Sequence, residues 1–326
     1  MTSRRSGLVA AFTALLASCD VQPSGYAVAS GPRDWTAHPA IANVEAPADA
    51  PIYAVSDVHG GYDRLVALLS RHGVIAASPS SPTQARWTAG HAVLVVAGDM
   101  IDKGPSSLEV LDLVMTLEGG ARDAGGRVIA TLGNHEAEFF ADPENDKADA
   151  GDGIDPEARA HGVDVMALAS GRDPRGAWLR GLPFGARVGR WFFSHAGNTA
   201  GRTVAQLEAS LRAGVAARDY RDTEVIGDAS ILEAREWWTT SAVVVSTNAR
   251  ALDVDHIVFG HSPSALGARG QVGVAASGGL FRIDCGMSPG VDDSRGALLR
   301  VRVDAGREVA ESLAADGSIR TLWRAN

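Results

Sequence analysis

The stretch VLVVAGDMIDKG (residues 93–104) puts five consecutive apolar residues directly before Gly98 and Asp99. A short apolar run that is bounded by glycine is typical of a strand buried on both faces of a sheet. A carboxylate that follows such a strand lies at the sheet edge where open α/β folds place their sites. The stretch therefore predicts a buried strand that delivers Asp99 to a functional edge.

Four more apolar runs end in the same way, each directly before a polar motif. They are Ile52–Val55 before SDVHGG, Val128–Leu132 before GNHE, Trp191–Phe193 before SHAG, and Ile257–Phe259 before GHSP. One such pairing carries little information, but five in succession predict strands whose C-terminal ends gather at one edge. We expect the polar residues that follow these strands to form one site.

The gathered side chains supply oxygen and imidazole ligands without a thiolate. We expect metal ligation by Asp57, His59, Asp99, Asn134, His195 and His261. Asp57 and His59 are two residues apart, so a strand would point both at one ion, and Asp99 can bridge to a second. The donor set suits two divalent ions, Mn²⁺ first and Fe or Zn as alternatives. Two ions that share a water generate hydroxide at neutral pH, which can attack phosphorus in line.

A leaving alkoxide needs a proton, and His135 is the candidate donor because imidazole titrates near neutral pH. Asp102 is expected to orient that imidazole, although it could instead cap the following turn. Lys103 and Arg235 are candidate ligands of the substrate phosphate, together with Asn134. Glu136 either pairs with Lys103 or sits in the first turn of a helix.

The order of elements predicts repeated β-α-β units and a largely parallel sheet. Helices are expected at Gly61–His72, Ser106–Leu117, His135–Phe140 and Val204–Ala217, and further strands at Leu280–Cys285 and Ala297–Val303. The acidic stretch 142–176 breaks this rhythm. We interpret it as an insertion over the site with one short helix near Val163–Ala169.

The N-terminus has the pattern of an export signal. Arg4 and Arg5 precede an apolar stretch that runs into LASC (residues 16–19), which resembles a bacterial lipobox. We therefore predict a signal peptide over residues 1–19, a lipidated Cys19 and a periplasmic protein, with cleavage after Ala29 or no processing as alternatives. Residues 20–50 are rich in Pro, Ala, Gly and Ser and are predicted to be a flexible linker to a catalytic domain over 51–326.

Composition describes an ordinary globular chain, with 45% hydrophobic and 21% charged residues. The formal net charge of −9 argues against a nucleic-acid-binding surface. Only two of the 30 basic residues are lysines, Lys103 and Lys147. Besides Cys19, the one cysteine is Cys285, which we expect to be a small buried apolar residue in a monomeric protein.

The motifs in this order resemble the calcineurin-like metallophosphoesterase superfamily, and within it the phosphoprotein phosphatases. Among these, the bacterial Shewanella-like phosphatases are the most similar. The resemblance implies an α-β-β-α sandwich of two mixed sheets flanked by helices, with a dinuclear site at the sheet edge. Ser56 and Ala196 replace glycines of the family pattern, and Lys103 replaces its arginine. Lysine offers a point charge instead of a two-pronged fork, so phosphate affinity is expected to differ.

We therefore expect a phosphatase that hydrolyses phosphomonoesters, with phosphorylated protein side chains as the leading substrates. Two alternatives stay open at this point. One is a phosphoanhydride hydrolase that acts on dinucleoside polyphosphates, since similar motifs carry that activity. The other is a metal-bound module that binds phosphorylated ligands without turnover.

Overall fold

The computed structural model describes residues 33–288 and 294–326, which fold into two packed six-stranded sheets with helices on both outer faces. The predicted signal peptide, Cys19 and the first part of the linker lie outside the described residues. The predicted α-β-β-α sandwich of two mixed sheets is confirmed.

The first sheet carries the N-terminal motifs. It has the order β12-β11-β10-β2-β3-β4, in which β2, β3 and β4 are parallel to one another and β10, β11 and β12 are antiparallel to their neighbours. Its strands are β2 (Ile52–Val55), β3 (Val93–Ala97), β4 (Arg127–Thr131), β10 (Ala297–Asp304), β11 (Arg307–Ala314) and β12 (Ile319–Arg324).

The second sheet carries the two C-terminal histidine motifs. Its order is β1-β5-β6-β7-β9-β8, with parallel β1–β5, β6–β7 and β7–β9 pairs and antiparallel β5–β6 and β8–β9 pairs. Its strands are β1 (Ile41–Val44), β5 (Gly185–Val188), β6 (Trp191–Ser194), β7 (His256–Phe259), β8 (Gly273–Ala275) and β9 (Leu280–Arg282).

Helices cover the outer faces of the sheets. They are α1 (Tyr62–Arg71), α2 (Ser107–Asp123), α3 (Asn134–Ala141), α4 (Ile154–Ala160), α5 (Val165–Ser170), α6 (Pro174–Gly181), α7 (Val204–Arg218), α8 (Thr223–Ile226) and α9 (Val244–Ala251). Within residues 33–288 and 294–326, none of these helices combines the length and the apolar character that crossing a bilayer requires.

Alternation along β3 explains why the strand is buried on both faces. Val93, Val95 and Ala97 belong to the core between the two sheets, whereas Leu94 and Val96 belong to the core beneath the helices. Side chains of a strand point alternately to opposite faces, so a strand inside a sandwich must be apolar at every position. The continuous apolar run of β3 is therefore explained by burial on both faces of the sheet.

The linker prediction is wrong at its C-terminal end. Residues 41–44 form β1, which pairs in parallel with β5, and the N–H groups of Ala40 and Ile41 donate to the carboxylate of Glu208 on α7. The four residues IANV carry little pattern of their own. Their partner strand lies more than 140 residues further along the chain, so local composition does not reveal the pairing.

The stretch 142–176 contains more helix than predicted. Where one short helix was expected, α4 and α5 form in full and α6 begins. Asp164 and Asp173 cap α5 and α6 by accepting backbone N–H bonds from Ala167 and Arg175. Aspartates that composition assigns to a loop therefore start helices.

Cys285 is buried, as predicted, and lies shortly after β9. Burial raises the pKa of its thiol to about 12. The thiolate is the reactive form of cysteine, so this side chain acts as a small apolar residue of the core.

Candidate metal centre

The polar residues of the five motifs meet at one edge of the two sheets, and all of them are buried. They are Asp57, His59, Asp99, Asn134, His135, His195 and His261. The first five follow β2, β3 and β4 of one sheet, and the two others follow β6 and β7 of the second sheet. The Nδ1–H of His195 donates to the carbonyl of Ala97 across the two sheets at 3.0 Å. The edge is therefore a junction between the sheets.

Asp99 is the residue that two possible metal-binding groups share. One group consists of His59, Asp99 and His135, and the other of Asp99, His195 and His261. The Asp99 Oδ2 atom lies 3.4 Å from His59 Nε2 and 3.2 Å from His195 Nε2. Burial favours a neutral Asp99, but the imidazoles, that of His195 first, outweigh it and hold the pKa of this carboxyl well below its usual range. If two ions bind, Asp99 would be the ligand that both groups share.

The imidazoles are oriented by main-chain carbonyls. In each of three histidines, one ring nitrogen donates to a carbonyl and leaves the lone pair of the other nitrogen available to a metal. The pairs are His59 Nδ1 with Ile101 O at 3.0 Å, His195 Nδ1 with Ala97 O at 3.0 Å, and His261 Nε2 with Glu233 O at 3.1 Å. The tautomers are therefore set before any ion binds.

The donor set around His195 fits a divalent cation. Its Nε2 atom lies 3.0 Å from Asn134 Oδ1 and 3.2 Å from Asp99 Oδ2. With Nδ1 donating to Ala97, a neutral ring would turn a lone pair toward two acceptor oxygens. A positive charge relieves this conflict: burial opposes a charged ring, yet Asp99 and Asp57 outweigh burial and raise the pKa of His195 to about 10. A metal ion satisfies the same three atoms.

Asp57 and His59 do not lie on a strand, so the prediction that strand geometry points both side chains in one direction is wrong. β2 ends at Val55, and Asp57 and His59 have φ values of 54° and 46°, so neither residue continues the strand. His59 lies in the first group, whereas the Asp57 carboxylate accepts the N–H of His261 at 3.0 and 3.1 Å. Burial and the neighbouring Asp284 raise the pKa of Asp57. Both residues follow β2 at the same edge, and their joint ligation of one ion stays a prediction.

His135 and Asp102 form a buried pair beside the first group. The Nδ1–H of His135 donates to Asp102 Oδ2 at 2.7 Å, which leaves His135 Nε2 facing Asp99 Oδ2 at 3.9 Å. Both side chains are 1% exposed. The arrangement matches the geometry predicted for an oriented proton donor, and its role in turnover stays a prediction.

The two predicted phosphate-binding cations contact different histidines of the centre. Lys103 is half-buried, and its Nζ atom lies 3.4 Å from His59 Nε2. Arg235 is exposed and donates through Nη1 to the carbonyl of His261 at 3.0 Å. Each cation therefore touches a predicted ligand of a different metal-binding group.

The second lysine of the chain is also connected to this centre. Lys147 Nζ lies 2.7 Å from Glu138 Oε1, and Glu138 in turn interacts with Glu233. Glu233 Oε2 lies 3.5 Å from His261 Nε2. Burial and the hydrogen bond with Glu138 raise the pKa of Glu233 to about 7.

Glu136 has a role that sequence reasoning missed. It sits in the first turn of α3, which is one of the two predicted placements, and its buried carboxylate joins two motif loops. It accepts the N–H groups of Gly133 (2.7 Å), Asp99 (3.0 Å), Met100 (2.7 Å) and Ile101 (3.3 Å). The loops also approach closely, since a Cβ on Gly133 would lie 2.1 Å from Asp99 Oδ1.

A second layer behind Asp57 was also missed. Asp284 follows β9 and is 3% exposed, and Arg282 is fully buried with its guanidinium bonded to the carbonyls of Ala265, Ala268 and Gln271. The signal was present: the apolar residues of β9 also lead to a polar residue near a glycine. The strand-end rule therefore extends to a sixth strand.

Comparison with known proteins identifies the family of this chain. The model of the calcineurin-like phosphoesterases matches residues 50–265. The chain belongs to this family. The resemblance inferred from the motifs is thus confirmed, and divalent metal ions are the cofactor that the family implies.

Three curated relatives match parts of the chain. An uncharacterised protein of Schizosaccharomyces pombe is 42% identical over 96 residues, which are 29% of this chain and 28% of that protein. A symmetrical bis(5'-nucleosyl)-tetraphosphatase of Enterobacter is 34% identical over 40% of this chain and 36% of its own length. The Shewanella-like protein phosphatase 2 of Arabidopsis thaliana is 32% identical over 26% and 20%. The matched part is at most 36% of the length of any of these three relatives.

The fold is similar to that of a solved phosphatase. The cold-active protein-tyrosine phosphatase of a psychrophilic Shewanella superposes with a TM-score of 0.67 at 23% identity. The superposition covers 87% of this chain and 82% of that one. At this identity the similarity describes the fold alone.

Glu136→Ala is expected to destabilise the protein strongly. The substitution leaves four buried N–H groups without their acceptor, and each such loss costs about 1–3 kcal/mol. We expect the free energy of unfolding in urea to fall by at least about 3 kcal/mol in metal-free protein. Glu136→Gln keeps one oxygen and should lose about half as much. Equal stability of Glu136→Ala and wild type would contradict the role of this carboxylate.

Proposed function

We propose that this chain is a metal-dependent phosphatase that hydrolyses phosphomonoesters. The observation that supports the proposal best is the His135–Asp102 pair, which lies beside a cluster of metal ligands around one shared carboxylate. A site that only bound metal would have no need for an oriented imidazole with a buried carboxylate behind it. An imidazole that is oriented by a carboxylate is suited to donate a proton to a leaving group.

Two divalent ions are the proposed cofactor, with Mn²⁺ the first choice and Fe or Zn as alternatives. The residues that would hold them are Asp57, His59, Asp99, Asn134, His195 and His261. Such ions supply Lewis acidity, which activates water and stabilises negative charge on phosphate oxygens. Carboxylate, amide and imidazole ligands are suited to these metals.

His135 is proposed to protonate the leaving oxygen from Nε2. Its Nδ1–H is committed to Asp102 at 2.7 Å, so the ring presents Nε2 toward the centre in a fixed orientation. The Asp102 carboxylate stabilises the positive charge that the ring carries before it releases the proton. Because both side chains are buried, water competes little for that proton.

Lys103 and Arg235 are proposed to hold phosphate oxygens beside His59 and His261, respectively. Arg235 is exposed and can swing toward a ligand, and its guanidinium binds two oxygens at once. Lys103 binds as a point charge, where the family pattern has a second arginine fork. We infer that this site binds phosphate with lower affinity than a site with two arginines would.

Phosphorylated protein side chains are the proposed substrate class. The support comes from the Shewanella-like protein phosphatase among the relatives and from the protein-tyrosine phosphatase with a similar fold. The symmetrical bis(5'-nucleosyl)-tetraphosphatases among the relatives favour a second candidate, cleavage of dinucleoside polyphosphates. A binding module without turnover is disfavoured by the intact His135–Asp102 pair.

Metal removal is expected to abolish turnover reversibly. Protein stripped with a chelator should not hydrolyse 4-nitrophenyl phosphate, and reloading with Mn²⁺ should restore phosphate release. His135→Asn should bind the metal and yet lose at least about a hundredfold in kcat for phenyl phosphate, whose leaving oxygen needs a proton, because a general acid contributes roughly 10²- to 10⁴-fold. Unchanged turnover by this variant would remove His135 from the mechanism.

The acidic segment is expected to select against polyanions. Asp142, Glu144, Asp146, Asp149 and Asp152 are all exposed on it. Their joint replacement by Asn and Gln should raise kcat/KM for diadenosine tetraphosphate, because like charges repel the approaching ligand. The same variant should change kcat/KM for a compact monoester little, which serves as the control. No gain on the tetraphosphate would remove this argument for monoesters.

Export and lipid anchoring at Cys19 are proposed from the sequence pattern, with a periplasmic location. The full-length chain expressed in a bacterium should fractionate with membranes and take up labelled palmitate. Cys19→Ala should lose both properties, because the thioether to the lipid cannot form. A variant that stays in the membrane fraction would show that Cys19 is not the anchor.

A further inference from the structure

One part of the segment that sequence analysis interpreted as a cover over the site packs behind the proton donor. Its residues 152–157, called the docking segment here, contact the loop between Asp102 and α2. Its contact with Asp102 is made by a backbone N–H, so the side-chain motifs gave no sign of it. Nothing in the family motifs assigns a function to these residues.

The central contact is a hydrogen bond to Asp102. The backbone N–H of Ile154 donates to Asp102 Oδ1 at 2.9 Å, while Asp102 Oδ2 accepts from His135 Nδ1 at 2.7 Å. The terminal torsion of an aspartate is broad, so a single contact would leave the carboxylate free to rotate. With an N–H on each oxygen, the carboxylate plane is fixed and the imidazole with it.

Further contacts hold the docking segment in place. The N–H of Gly104 donates to Asp152 O at 3.1 Å. The Glu157 carboxylate accepts the N–H groups of Ser107 (2.7 Å) and Leu108 (2.8 Å) at the start of α2. The Ile154 side chain is fully buried. The segment therefore binds the Asp102 loop at both of its ends.

The path of the backbone before Ile154 is tightly constrained. A Cβ on Gly153 would lie 2.2 Å from Ala148 O and 2.5 Å from Lys147 O. No side chain fits there without movement of backbone atoms. The position of the Ile154 N–H is thus determined by close packing and does not depend on the hydrogen bond alone.

We propose that Ile154 is a positioning residue of the active site, which acts through Asp102 on the proton-donating imidazole of His135. The inference rests on the proposed function and deepens it. Its consequence is a dependence on the leaving group. Esters whose leaving oxygen needs a proton should require the Ile154 N–H, and esters whose leaving group is stable as an anion should require it much less.

Ile154→Pro removes the N–H at a position that accepts proline. Ile154 is the first residue of α4, and proline is favoured at the first position of a helix. The preceding Gly153 has φ −83° and ψ 169°, the extended conformation that a following proline requires. Ile154→Ala is the matched control, because it also loses the buried side chain and keeps the N–H.

The readout is the ratio of kcat for phenyl phosphate to kcat for 4-nitrophenyl phosphate, measured on Mn²⁺-loaded protein. The two esters have nearly the same shape and differ in how much their leaving groups need a proton. We expect this ratio to be about tenfold lower in Ile154→Pro than in Ile154→Ala, with similar KM values. A purely structural loss would lower both kcat values together and leave the ratio unchanged.

The outcomes separate the two proposals. An active wild type with equal ratios in both variants would overturn the role of Ile154 and leave the proposed function standing. A wild type that binds Mn²⁺ and hydrolyses neither ester would overturn the proposed function itself. If Ile154→Pro does not fold, amide hydrogen exchange decides: the Ile154 amide should be protected in wild type and lose protection in Asp102→Ala. Equal protection in the two proteins would overturn the inference.

Discussion

The attraction between one buried carboxylate and the imidazoles around it is the interaction on which the site depends. Asp99 carries a negative charge at a depth where burial opposes it, and the rings of His195, His135 and His59 outweigh that cost. Two of these rings come from the sheet that holds Asp99 and the third comes from the other sheet. The same charge therefore aligns the ligands and holds the two strand edges together.

Around this centre, main-chain groups do most of the positioning. Carbonyls of Ile101, Ala97 and Glu233 set the imidazole tautomers, and the Glu136 carboxylate gathers four N–H groups of the motif loops. Main-chain groups cannot rotate away as side chains can, so ligand geometry is established before a metal or a substrate arrives. Preorganisation of this kind reduces the reorganisation that binding and catalysis require.

The sequence predicted the centre well because its signals are local. Each of the five runs, with the polar residue behind it, occupies fewer than a dozen positions, and parallel strands must end at the same edge. The prediction failed where a partner is distant or lies in the backbone. β1 depends on a strand far along the chain, and the Ile154 N–H is a group that every non-proline residue carries. Asp57 and His59 both follow β2, as predicted, but the strand argument for their orientation was wrong because both residues have positive φ.

The acidic segment shows how composition can mislead about secondary structure. Its many aspartates and glycines describe a loop, yet some of these aspartates cap helices and Gly153 allows two backbone stretches to approach closely. Within this segment, the residues that support the site act through buried side chains or main-chain groups. Amino-acid composition gives no information about either.

The scarcity of lysine has a practical meaning for the chemistry of this protein. Lys103 touches His59, and Lys147 connects through Glu138 and Glu233 to His261. Reagents that acylate or cross-link amines usually modify lysines at many positions on a protein surface. Here one side-chain amine contacts a predicted metal ligand and the other is linked to one through two carboxylates, so reagents that reach the lysines would modify the protein at or near its metal centre.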